Sequence, residues 1–124
     1  MDINYAENGF SIFASCCEPY QPTGPFQIDA NFGLAGAVLA MLVTDLPTPS
    51  ASPNSGRTVL LGPAIPSAWG SGSVKGFRLR GGGSVDFAWD NTGLVTEATL
   101  QPGLGDVTVV NKAGTVLAHS AGGI

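Results

Sequence analysis

The segment Leu34-Ala35-Gly36-Ala37-Val38-Leu39-Ala40-Met41-Leu42-Val43 limits the possible folds of this chain more than any other, because every residue in it except Gly36 is a good apolar core former. A surface helix carries an apolar stripe and a polar face, and this segment has no polar face. It ends at Thr44-Asp45, well short of the roughly 20 consecutive apolar residues that a bilayer span needs. A helix of this kind wants partners all round, and one small sheet can cover only one side. The segment therefore predicts a helix inside a larger helical assembly whose other members are outside the chain. Self-association of the isolated chain is expected from the same uncovered surface.

The remainder reads differently. Eighteen glycines and nine prolines among 124 residues, with only 11% charged, favour strands and turns over a helical bundle. A 44% hydrophobic fraction excludes wholesale disorder. The net charge of −4 arises from few charges, and the five basic residues cluster only at Arg78 and Arg80, which argues against a nucleic-acid partner. No window suggests a membrane span. The start Met1-Asp2-Ile3-Asn4-Tyr5 lacks a basic, apolar signal sequence, although any signal in a longer polypeptide would lie upstream.

From Arg57 onward short strands alternate with turns. Val59-Leu60-Leu61 reads as an apolar strand ended by Gly62-Pro63, and Val74 to Arg80 as a strand with Phe77 and Leu79 on one face. Val85, Phe87 and Trp89 alternate with Ser84, Asp86 and Ala88, and the turn residues Asp90-Asn91-Thr92-Gly93 predict an antiparallel hairpin over 84–100. Val107 and Val109, followed by Val116 to Ala118 across Asn111-Lys112-Ala113-Gly114, predict a second hairpin. The expected architecture is a small antiparallel sheet or sandwich. Residues 1–24 read as irregular, with one short strand around Phe10 to Ala14. Residues 44–56, rich in proline and small hydroxyl residues, read as a surface loop or linker.

Candidate functional residues precede the apolar segment in Pro25-Phe26-Gln27-Ile28-Asp29-Ala30-Asn31-Phe32-Gly33. A carboxylate and an amide two residues apart at a helix start either cap the helix or face a ligand. Asp29 fits both roles on its own chemistry. Asn31 fits the N-cap better than a ligand contact, and Gln27 fits a buried, hydrogen-bonded amide. Trp69 and Trp89 could stack on sugar rings, but core packing is the simpler expectation. Arg78 and Arg80 are expected to be solvated or paired with Asp86 and Glu97 across the sheet. His119 has no carboxylate partner in sequence and is not expected to be catalytic. Cys16 and Cys17 are adjacent, so a mutual bridge would be strained, and with no CxxC or histidine partner they read as plain thiols or as a bridge to a missing segment. Neither a metal site nor a cofactor is predicted.

Three motifs then occur in order: Pro25-Phe26-Gln27-Ile28-Asp29-x-Asn31-Phe32-Gly33 with its apolar helix, Leu60-Leu61-x-Pro63-Ala64-x-Pro66-x-Ala68-Trp69, and Gly72-Ser73-Val74-Lys75-Gly76-Phe77-Arg78-Leu79-Arg80-Gly81-Gly82. Together they resemble the C-terminal end of glycoside hydrolase family 95, mainly α-L-fucosidases. The resemblance implies an α+β fragment, in which 1–45 is the end of an (α/α)6 catalytic barrel, 46–56 a linker and 57–124 a C-terminal β domain. It further implies inverting hydrolysis of terminal α-1,2-linked fucose from a fucosylated oligosaccharide or glycan. Inversion needs a proton donor and an activated water on opposite sides of the sugar. By resemblance the acid is a glutamate and the water is handled by asparagine, both upstream of this chain, while Asp29 orients the asparagine amide. Gln27 and Asn31, beside Asp29 in the motif, are candidate sugar contacts. The family is often secreted, and the chain alone is expected to be inactive.

Two positions depart from the family pattern: Ala30 replaces a glycine, and Gly70 follows Trp69 where proline is usual. Two other readings stand beside the fucosidase fragment. One is a non-catalytic β-sandwich module in carbohydrate binding or domain packing, and the other a truncated reading frame with no role of its own.

Overall fold

The computed structural model describes residues 28–45, 56–103 and 105–121. The expectations for Phe10 to Ala14, for Cys16 and Cys17, and for most of the 44–56 loop lie outside the described residues. The chain divides into two compact units, Met1–Leu39 and Ala40–Ile124.

The described part of the first unit is helical. Helix α1 spans Ile28–Leu42, beginning in the first unit and ending in the second. It starts earlier than the apolar segment, because Ile28 to Gly33 contains no proline and joins the helix as its first turns. Phe32, Leu34 and Leu39 are all exposed, Phe32 by 71%. Among the described residues of this segment, only Leu42 and Val43 reach the core. Val43 leaves the helix because it and Thr44 form strand β1 (Val43–Thr44), a conformation that suits two β-branched residues.

The second unit holds the β structure. The remaining strands are β2 (Arg57–Leu61), β3 (Gly72–Arg78), β4 (Ser84–Trp89), β5 (Val95–Gln101), β6 (Val107–Asn111) and β7 (Val116–Ser120). A four-stranded sheet runs β1-β2-β6-β7 and a three-stranded sheet runs β3-β4-β5. Both expected hairpins form, β4 with β5 and β6 with β7, each antiparallel. A wholly antiparallel architecture does not: β2 and β6 pair in parallel, Val59 opposite Val109. Parallel neighbours need a long crossover, and here the entire β3-β4-β5 meander supplies it. That pairing joins distant segments, so local turn chemistry carries no sign of it.

Burial follows the strand period of two. Val59 and Leu61 on β2, Val85 and Phe87 on β4, and Val107, Val109 and Asn111 on β6 all face the interior, joined by Val95, Ile65 and Leu79. Each fully buried valine or leucine contributes about 1.5–3 kcal/mol relative to exposure. The sheets meet where β5 runs against β6 and β7. Asn111 ties them together, its Nδ2 donating to the Val95 carbonyl at 2.9 Å.

The end of α1 is closed by this domain. The Gly62 and Ala64 N–H groups donate to the Leu42 and Met41 carbonyls at 2.7 and 3.3 Å, satisfying acceptors that the helix leaves unpaired. In β3 the alternation breaks at a bulge between Val74 and Phe77, where the Gly76 N–H donates to Asp86 Oδ1 at 2.6 Å. Beyond the bulge the alternation resumes: Phe77 is half-buried and Leu79 buried between the exposed Arg78 and Arg80, so the two share a face as expected, with Leu79 one residue past the end of the strand.

Candidate functional site

Asp29 and Asn31 both lie in the opening turns of α1. Asn31 is therefore a helical residue and not the N-cap, since the helix already begins at Ile28. Three backbone steps into a helix, its side chain is half-buried. Gln27 and the side chain of Asp29 lie outside the described residues. Ala30 takes helical backbone geometry, which a Cβ tolerates without strain.

The aromatic candidates divide. Trp89 is half-buried as expected, its ring 6.1 Å from that of Phe87 and its indole N–H donating to the Gly70 carbonyl at 2.9 Å. Trp69, in a short 3-10 turn at Ser67–Trp69, is 45% exposed and not a core residue. The turn ends at Gly70 with φ of 67°, a left-handed value closed to the proline found in the family pattern.

The polar residues hold the scaffold together. Asp90 accepts from Thr92 Oγ1 at 2.6 Å, from the Thr92 N–H at 2.8 Å and from the Leu94 N–H at 3.2 Å, organising the β4–β5 turn. The Thr92 hydroxyl above all, then these N–H groups, holds its carboxyl below the usual aspartate value. His119 Nδ1 shares a hydrogen bond with Thr108 Oγ1 at 3.0 Å on the exposed face of β7. Arg78 and Arg80 are exposed, and the Asp86 carboxylate bonds Gly76 instead of an arginine. Among the described residues no group of three or more His, Cys, Asp or Glu side chains is placed to hold a metal ion.

Two contacts had no forecast in the sequence. Asp45, at the end of the apolar segment, pairs with Arg57 Nε at 3.2 Å, and its other oxygen accepts from the Arg80 N–H at 2.6 Å. Asn111 was legible as a turn residue, but its buried amide bridge to Val95 was not. A carboxylate next to a β-branched pair, and an asparagine at alternating burial phase, were the available signals.

Comparison with known proteins places these motifs. Residues 54–123 match the glycoside hydrolase family 95 C-terminal domain. The chain is 54% identical over 118 residues to the probable alpha-fucosidase A of Aspergillus oryzae, covering 94% of this chain and 16% of that protein. It is 55% identical to the probable alpha-fucosidase A of Aspergillus niger over 74% of this chain and 11% of that one. Alpha-L-fucosidase 2 of Arabidopsis thaliana is 43% identical over 57% of this chain and 8% of its own length. The chain thus spans about one sixth or less of each relative. No solved structure matches it.

Proposed function

The chain belongs to glycoside hydrolase family 95, and on that premise we propose that it is the C-terminal portion of an inverting α-L-fucosidase acting on terminal α-1,2-linked fucose. The observation that carries this reading is α1: an apolar helix with Phe32, Leu34 and Leu39 exposed, opening in the family's Gln27–Gly33 motif. In this reading α1 is the last helix of an (α/α)6 barrel, residues 1–45 close the barrel, 46–56 link, and 57–124 form the C-terminal β domain. The upstream barrel covers the exposed apolar face.

Inverting hydrolysis protonates the leaving oxygen from one side and delivers water from the other. The chain supplies neither the acid glutamate nor the base asparagine. Its contribution is Asp29, in the first turn of α1. That carboxylate orients the upstream amide and stabilises the polarised form it needs to accept a proton from water. Gln27 and Asn31 contact the sugar or its neighbours. Alone, the chain is inactive.

The test is hydrolysis of a 2′-fucosyl oligosaccharide by the chain alone and mixed with the upstream portion of the A. oryzae relative. Activity in the mixture only is expected, falling by about 10²-fold or more with Asp29→Asn. Activity of the chain alone would refute the reading. A mixture that associates but stays inactive would assign the chain to the non-catalytic module, for which the exposed Trp69 is a ready sugar-stacking face.

A further inference from the structure

A cavity of about 280 Å³ opens in the second unit beside the end of α1. Ala40, Val43 and Phe77 give it an apolar lining, and Arg78, Arg80 and Asp45 supply its charges. Asp45 is already committed to Arg57 Nε and to the Arg80 backbone N–H. Both the Arg78 and Arg80 side chains are exposed, and neither guanidinium pairs with a carboxylate among the described residues. Two of the five basic residues of a chain carrying −4 therefore stand unpaired on one cavity, leaving it locally cationic against the net charge.

We infer that this cavity is a docking site for a carboxylate-bearing segment of the upstream part of the same polypeptide. The inference rests on the reading of the chain as the C-terminal portion of a longer protein. Three features select this occupant over others. Ala40, the last-turn residue of α1, lines the cavity, so the polypeptide enters the β domain at this place. The relatives carry more than four fifths of their length outside the matched region, which supplies the partner. Guanidinium forks above an apolar lining suit a glutamate or aspartate on an otherwise apolar segment, because a planar carboxylate is bound bidentately and the apolar lining excludes water.

Calorimetric titration of the 124-residue chain with the upstream portion of the A. oryzae relative tests this. The wild-type chain should bind saturably, more weakly as salt is raised. The Arg78→Ala/Arg80→Ala double variant should bind about tenfold or more weakly with a flattened salt dependence, as truncating paired interfacial charges does. Lys112→Ala, on the β6–β7 turn, serves as the charge control and should bind like wild type. Both arginine side chains are exposed, so an unchanged circular dichroism spectrum will show that the double variant folds. Binding by the double variant within about twofold of wild type, the size of a solvated surface pair, would overturn the docking site while leaving the fragment reading intact. Absence of binding by the folded wild-type chain would overturn both.

Discussion

Asn111→Ala should be among the most destabilising single changes in the β domain. Asn111 is only 4% exposed; its Nδ2 donates to the Val95 carbonyl at 2.9 Å, and its Oδ1 accepts from the Ala113 and Thr115 N–H groups at 3.0 Å each. Truncation deprives a carbonyl on fully buried Val95 of this donor, which costs about 1–3 kcal/mol. The two turn bonds add about 0.5 kcal/mol each, the low end of the range, because Ala113 and Thr115 are exposed and water can replace Asn111. The sum is about 2–4 kcal/mol. For a domain of this size that lowers Tm by roughly 10 °C or more. Urea unfolding followed by tryptophan fluorescence, with Lys112→Ala as the surface control, measures it. A loss under about 1 kcal/mol at unchanged m-value would refute the argument that Asn111 joins the two sheets. Asn111→Asp sharpens the test: it keeps the turn acceptor but sets a carboxylate against the Val95 carbonyl. Only its protonated form can donate there, so its folded pKa is raised. Its penalty should be full at neutral pH and shrink as pH falls toward the ordinary aspartate value, about 3.9.

Two further predictions follow from the β4–β5 turn. Gly93 has φ of 76°, and an added Cβ would meet the Ile65 carbonyl oxygen, so Gly93→Ala should cost more than about 2 kcal/mol; wild-type stability in thermal melts would contradict the close approach of this turn to the 62–65 loop. The Asp90 carboxyl is held below its usual 3.8, so its contribution is fully present above that value and is lost as pH falls through the lower folded value. The stability gap between wild type and Asp90→Ala should therefore narrow toward acid, and a gap constant from neutral pH to below pH 3.8 would contradict the assignment.

Much of the β domain is readable from local signals. Asp90-Asn91-Thr92-Gly93 and Asn111-Lys112-Ala113-Gly114 are turn formers between alternating strands, and each hairpin formed where those residues stand. The period of two also selected Val85 and Phe87 for the interior. Local signals failed where the partner was remote. The bulge before Phe77 interrupted β3, Trp69 came out exposed, and helix α1 took in Asn31, which had the chemistry of an N-cap. Propensity describes each residue's nearest neighbours, and none of these outcomes is set by them.

The sequence by itself determined the helical character of α1, the strand character of β2 to β7, the two hairpins and, through three ordered motifs, the family, because period, turn chemistry and motif order are properties of consecutive residues. Tertiary structure alone decided the parallel pairing of β2 with β6, the Asp45–Arg57 pair and the Asn111 bridge to Val95. Each of these joins residues between 12 and 50 positions apart in the chain. Which of many possible long-range contacts forms depends on how much apolar surface the whole arrangement buries and on whether every buried polar group finds a partner. Those two sums exist only once the chain is folded.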